Sequence, residues 1–343
     1  MRIVAAFDSF KGCLFSLEIA GEVRRAVEET LPGSEVVEVG IADGGEGTID
    51  AVVGRLGGRF AEAVVSDPLG RPTVARYGIA GDLGIIEASQ ACGINLLRPE
   101  ERNPLLTTTK GVGELILDAI SNGCKRFVVG IGGSATNDGG RGMVEVEGFL
   151  EKARNCSFTV ACDVDNPFIG PQGASRVFGP QKGAGPSDVE ILERRLAEYA
   201  EVIMEQTGVD VRNMPGAGAS GGLGGAFAAF LGASLKPGIE MVLDAIGFDD
   251  IIKGADLIFT GEGRSDFQTA HGKAPAGVLS HARRQGITVA LVSGAILHCP
   301  ELDSLGFAAM RAVTPEGIPL EEAMRPTVAR KNIYNAIKSI LES

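Results

Sequence analysis

The sequence predicts an α/β protein: a flavodoxin-like parallel-sheet domain carrying an inserted mixed-sheet α/β domain, with a cleft between them. Three observations carry that prediction. Both ends of the 343-residue chain repeat the order apolar strand, polar glycine loop, amphipathic helix, the pattern of a parallel sheet with helical crossovers. In the middle, short strand-like runs are joined by Asp67-Pro-Leu-Gly-Arg-Pro72 and Gly81-Asp82, turn sequences that mark an antiparallel meander. The chain is also too long for one small core.

In chain order, Ile3 to Ala6 is the first strand and ends in Asp8-Ser-Phe-Lys-Gly12. Ser16 reads as a helix N-cap, and Ala20, Val23, Val27 and Leu31 share one helical face. Val36 to Ile41 is a second strand, followed by Ala42-Asp-Gly-Gly-Glu-Gly-Thr48 and a helix bearing Ile49, Val52, Val53 and Leu56. The runs 61–66, 73–80 and 84–88 form the meander. A helix bearing Val112, Leu115, Ile116 and Ala119 leads to the strand Phe127 to Ile131.

Phe158 to Asp165 reads as another strand, which would point Asp163 and Asp165 to the same side. Ser187-Asp-Val-Glu190 is a capping-box sequence opening a helix. The small residues of 215–225 indicate close backbone approach, to a ligand or to a packed helix. From Ala255 the first texture returns, with strands at 257–259, 289–292 and 307–313 and helices at 274–284 and 327–341. Counting both ends gives the five strands of a flavodoxin-like sheet. The expected domains are therefore 1–58 with 252–343, and 59–251.

Composition narrows the function. A formal net charge of −12, no Trp and 5% aromatics argue against nucleic acid and anionic membranes as partners. No apolar run approaches a membrane span or a signal peptide. The six cysteines lack zinc spacing and read as core fillers of a cytoplasmic protein, and the three histidines are scattered.

The chemistry concentrates in Arg126-Phe-Val-Val-Gly-Ile-Gly-Gly-Ser-Ala-Thr-Asn-Asp-Gly-Gly140. Glycines let successive N–H groups converge on an anion, and here Gly132, Gly133, Gly139 and Gly140 flank the polar Ser134, Thr136, Asn137 and Asp138. The plain alternative is a tight strand-to-loop turn. In an open α/β sheet, ligands lie beyond the strand carboxyl ends where strand order reverses. That rule gathers Asp8, Ser9 and Lys11, then Asp43, Gly44, Gly45 and Glu46, then Thr260, Glu262, Arg264 and Asp266.

Carboxylates, cations and anion nests together suit phosphoryl transfer from ATP. Asp163 and Asp165 are the candidate Mg²⁺ ligands, and Lys11 and Lys182 the candidate phosphate contacts. Asp266 is the first choice of general base and Asp43 the second, with Lys11 and Asp8 beside them. No P-loop or protein-kinase motif is present. The imperfect fingerprints Gly216-x-Gly218-x-x-Gly221 and Gly130-x-Gly132-x-x-Ala135 keep an NAD(P)-dependent oxidoreductase open. A non-catalytic sensor of sugar acids or nucleotides is a third reading.

Seven motifs, in order over nearly the whole chain, resemble the bacterial glycerate kinases: Asp8-Ser-Phe-Lys-Gly12, Ala42–Thr48, Arg102-Asn-Pro-Leu-Leu-Thr107, Gly130–Gly140, Ala161-Cys-Asp-Val-Asp-Asn-Pro167, Val177–Gly183 and Thr260-Gly-Glu-Gly-Arg264. The resemblance implies ATP-dependent phosphorylation of D-glycerate, with the 2-phosphate as expected product. It adds Arg102 to the substrate- or phosphate-binding set and is compatible with a monomer or homodimer. Two departures stand out: the segment Val144 to Ser157 is short for the family, and Ile296 and Leu297 are apolar where polar residues are common.

Overall fold

In this computed structural model the described residues are 1–44, 47–315 and 317–342. Among them the strands are β1 (Arg2–Phe7), β2 (Glu35–Gly40), β3 (Arg59–Ser66), β4 (Pro72–Ala80), β5 (Leu83–Glu87), β6 (Arg126–Gly130), β7 (Ser157–Ala161), β8 (Ser234–Lys236), β9 (Leu257–Gly261), β10 (Arg264–Ser265), β11 (Thr288–Ser293), β12 (Ala295–Ile296) and β13 (Ala309–Ala312). The chain divides into two compact units, Met1–Asp43 with Val242–Ser343, and Gly44–Met241.

The first unit holds a five-stranded sheet in the order β13-β11-β9-β1-β2, parallel throughout. This is the flavodoxin-like order, with its reversal between β1 and β9. Strand β1 is buried almost end to end because both sheet faces are covered. Phe7, Ile19, Val23 and Val27 pack with Phe259, Val292, Ile333 and Ile337 in one core. Helix Ser16–Thr30 begins one residue earlier than its sequence suggests. Phe15 is the N-cap and donates its N–H to the Glu18 carboxylate at 2.8 Å. The Ser16 hydroxyl donates instead to the Ile41 carbonyl at 3.3 Å, so the expected Ser16 cap does not form. The apolar Ile296 enters β12, which pairs with β10 as Ile296 against Ser265.

The second unit holds a six-stranded sheet in the order β3-β4-β5-β6-β7-β8. The expected meander is antiparallel, β3 with β4 and β4 with β5, and the remaining pairs are parallel. Phe127 and Phe158 stack at 4.9 Å between ring centroids inside its core. Helix Thr48–Leu56 packs on β4 and β5, which places the division at Asp43/Gly44 rather than 58/59. The other division falls inside helix Gly238–Ile246, at Met241/Val242 rather than 251/252. Helix Pro186–Thr207 starts with Gly185 as N-cap, and the Asp188 carboxylate accepts the Gly185 N–H at 2.9 Å. Proline at the first helical position moves the start ahead of the expected Ser187.

Strand β7 ends at Ala161, not Asp165. The last β7–β8 partners are Ala161 and Lys236, and 162–167 continue as irregular backbone, where the Cys162 thiol donates to the Val164 carbonyl at 3.2 Å. The alternation that would align Asp163 with Asp165 is therefore lost. No helix among the described residues is long and apolar enough to cross a membrane. All six cysteines are free thiols.

Candidate active site

In the first unit the candidate groups converge at the strand reversal. The Asp8 N–H donates to the Gly261 carbonyl at 3.0 Å, which brings the loops after β1 and β9 together. Gly261 is required there, since a Cβ would sit 1.8 Å from the Val292 carbonyl oxygen. Asp8 is 6% exposed. Burial and the neighbouring Asp43 raise its pKa to about 7, against the Ser9 N–H and Lys11, which lower it. That N–H donates to Asp8 Oδ1 at 2.7 Å. Glu262 is equally buried, and burial likewise raises its pKa. Its Oε1 accepts the hydroxyls of Thr269 at 2.6 Å and Ser265 at 3.2 Å, and Lys273 Nζ lies 3.9 Å from Oε2. Lys11 Nζ is exposed, 3.9 Å from Asp43 Oδ2.

Other expected members have structural employment. Asp266 is the N-cap of helix Phe267–Ala270, with Oδ1 accepting the Gln268 N–H at 2.9 Å and Oδ2 3.1 Å from Arg264 Nε. Both oxygens of the first-choice base are thus engaged. Thr260 is wholly buried in β9, its hydroxyl without a partner, so it faces no solvent. Lys273, Ser265, Thr269 and Ser293 were missed by the sequence reading. Lys273 is the N-cap of helix Ala274–Arg284.

In the second unit the glycine-rich loop follows β6. Gly132 and Gly133 are exposed, whereas Ser134, Thr136 and Asn137 are buried. Asp138 is a structural clamp. Its Oδ2 accepts the Thr109 N–H and hydroxyl, both at 2.8 Å, and the Gly142 N–H at 3.1 Å, while Oδ1 accepts the Gly140 N–H at 3.1 Å. These donors occupy both oxygens of a carboxylate expected at the anion-binding loop. Lys182, expected on phosphate, is 3% exposed and donates to Ser134 Oγ at 3.0 Å and the Thr136 carbonyl at 2.6 Å. Burial lowers its pKa to about 8. It braces the loop from behind. Gly183 has φ +100°, and a Cβ there would lie 2.2 Å from the Arg102 carbonyl oxygen, which sets Arg102 against the Lys182 turn. Arg102 Nε is buried without a partner.

The small residues of 215–225 serve packing: a Cβ on Gly221 would lie 2.0 Å from the Thr136 carbonyl, and one on Gly222 2.7 Å from Gly139 Cα. Ser220 takes a left-handed φ of 57° and its hydroxyl donates to the Ile131 carbonyl at 2.5 Å. Gly44 (φ +87°) approaches Gly238 so closely that a Cβ would be 2.6 Å from its Cα. Gly45 and Glu46 lie outside the described residues. Asp163 and Asp165 are exposed on irregular backbone, Asp163 Oδ1 accepting the Gly238 N–H at 2.8 Å. No group of three or more His, Cys, Asp or Glu among the described residues is arranged to hold a metal. Magnesium needs only one or two carboxylates beside phosphate and water, so exposed Asp163 and Asp165 fit that mode and not an all-protein cage.

Two buried acids whose pKa values are raised, Asp8 to about 7, beside a strand reversal, and a braced glycine loop after a parallel strand, define the equipment of a small-molecule phosphotransferase. The model of the glycerate kinase family matches residues 3–150 and 144–343. The two matched pieces overlap at the start of the short 144–157 segment, where helices Arg141–Val144 and Phe149–Ala153 follow closely. The chain is 40% identical to the glycerate kinase of Bacillus subtilis (strain 168), over 94% of this chain and 93% of that one. It is 39% identical to the glycerate 2-kinase of Escherichia coli (strain K12), over 99% and 97%. A crystal structure described as glycerate kinase 2 from Salmonella typhimurium LT2 superposes with a TM-score of 0.89 at 38% identity, covering 100% of this chain and 97% of the other. The chain belongs to the glycerate kinase family and is an enzyme of that family.

Proposed function

We propose that the protein transfers the γ-phosphoryl group of ATP to D-glycerate, at the 2-hydroxyl, with Asp8 as the general base. The observation that carries the assignment of the base is the buried Asp8 carboxyl, held near pKa 7 at the carboxyl end of β1. A base poised there is largely ionised just above neutrality yet basic enough to take a hydroxyl proton as the oxygen attacks phosphorus. The reading replaces Asp266, whose oxygens cap a helix and pair with Arg264. Lys11, exposed and near Asp43, supplies positive charge to an anionic substrate. Glu262, held by Thr269, Ser265 and Lys273, fixes the loop after β9.

The loop after β6 contributes the exposed backbone of Gly132 and Gly133 and the Ser134 hydroxyl as phosphate contacts, stiffened by Lys182 and Asp138. Preorganised donors of this kind stabilise the charge that spreads over the transferring phosphoryl oxygens. Mg²⁺, held through Asp163 and Asp165, supplies charge neutralisation on the phosphates when bound. Support for the 2-hydroxyl is the likeness to a relative named glycerate 2-kinase. Incubation with ATP, Mg²⁺ and D-glycerate, followed by ³¹P and ¹³C NMR of the product, tests both parts. Phosphate on C2 is expected, phosphate on C3 overturns the regiochemistry, and no ADP overturns the activity.

A further inference from the structure

The second unit contains a cavity of about 460 Å³ that no step above uses. Helix Pro186–Thr207 lines it with Leu192, Arg195, Leu196, Tyr199 and Val202, and Asn137 of the glycine loop lines it too. Two polar groups on that lining are buried without satisfaction. The Tyr199 hydroxyl has no hydrogen-bond partner, and the residue is 7% exposed. The Asn137 side chain donates to Ser175 Oγ at 3.0 Å, but its Oδ1 has no partner and the residue is 2% exposed. A buried polar group left without a partner is costly unless something occupies it. Two unsatisfied groups in one pocket of mixed polar and apolar lining indicate a ligand with polar atoms on the edge of an apolar body.

The rim narrows the chemistry. Arg195 donates to the Leu105 carbonyl at 3.0 Å and makes no ion pair among the described residues. Arg141 pairs with Glu145 at 2.7 Å and stands 5.6 Å over the Tyr199 ring. Two acids also line the cavity. Asp138 is filled by its Thr109, Gly140 and Gly142 donors, and Glu198 is exposed on the helix. An exposed carboxylate suits a sugar diol, and an arginine suits a phosphate. A flat heteroaromatic ring with donors and acceptors on its edge, a diol and a phosphate are together a nucleotide.

We infer that this cavity receives the nucleoside of the phosphoryl donor. The base lies between Leu192, Leu196 and Val202 with its edge on Tyr199 and Asn137, the ribose on Glu198 and a phosphate on Arg195. This rests on the kinase reading above and adds to it the site of donor recognition. Because Asn137 belongs to the same loop as Gly132 to Ser134, base recognition and phosphate placement are covalently linked over a few residues.

The test is calorimetric titration of ADP into the full-length protein and its Val202→Trp and Tyr199→Phe variants, with steady-state kinetics alongside. Filling the cavity with Val202→Trp raises the ADP Kd and the KM for ATP about tenfold or more, the scale of 1.4 kcal/mol, while the KM for glycerate is retained. Tyr199→Phe removes one hydroxyl and weakens ADP about threefold to tenfold, the scale of one hydrogen bond. Wild-type ADP affinity in both variants overturns the proposal. Tyr199→Phe keeps the ring in the core, so the test survives if the tryptophan variant does not fold. Absence of turnover with normal ADP binding would strike the kinase reading and leave the cavity assignment standing.

Discussion

The first unit's strand-end site and the second unit's glycine loop use buried charge in opposite ways. Around Asp8 the acids crowd one another: Asp43 and Glu262 add to the burial that raises its pKa to about 7. Around the glycine loop Asp138 and Lys182 are spent on holding the chain in place. Asp138 takes the N–H groups of Thr109, Gly140 and Gly142, and Lys182 holds Ser134 and the Thr136 carbonyl. An ionisable group left short of partners is available for proton transfer, whereas one saturated by amides sets geometry. The comparison teaches that charge type at a strand end does not reveal its task, and that the number of satisfied partners does.

The largest test of that contrast is Asp8→Asn. It is expected to lower kcat by about 10²–10⁴-fold, the span of general-base catalysis, while thermal stability holds or rises because a buried carboxylate is neutralised. Retained kcat would move the base elsewhere. Asp138→Ala should behave oppositely. Stripping the clamp leaves buried N–H groups unpaired and is expected to cost about 3 kcal/mol, read as a lower urea midpoint. An unchanged midpoint would remove the clamp from the account.

The pH dependence sharpens the same difference. The folded pKa of Asp8, about 7, lies above its ordinary 3.8, so the native state binds the proton more tightly. Its contribution to stability therefore falls as pH climbs from 3.8 to about 7, while kcat/KM rises towards the upper end of that window. Lys182 is lowered from 10.5 to about 8, so the unfolded state binds its proton more tightly, and its contribution to stability rises as pH climbs between those values. Urea titrations of Asp8→Asn and Lys182→Met across pH, each expected to flatten its own slope, check the signs. The smallest effect belongs to Asp266→Ala, which is expected to cost about 1 kcal/mol for a lost helix cap and to change kcat less than threefold. A loss of a hundredfold would restore Asp266 as the base.

The fold was legible because its signals are local and repeated. Phe7, Val23, Val27 and Phe259 sit where period and burial agree, and turn sequences fix the β3–β4–β5 meander. The ends of elements were less legible. Ser16 and Ser187 have the chemistry of caps, but Phe15 and Gly185, one and two residues earlier, take the N-cap positions and donate their N–H groups to Glu18 and Asp188. Asp163 and Asp165 look aligned in the sequence, but β7 stops at Ala161, where its pairing with β8 ends, and both lie on irregular backbone.

What the sequence determined by itself is the inventory: two sheets, the loops that follow their strands, and the acids, lysines and glycines those loops carry. Hydrophobic period and glycine–proline punctuation act over a few residues, so they survive in one dimension. Which carboxylate is short of donors and which lysine is inside was decided only by tertiary structure. Desolvation and hydrogen-bond saturation depend on distant neighbours: Thr109 reaches Asp138 across 29 residues and Lys182 reaches Ser134 across 48, and only the folded chain brings them together.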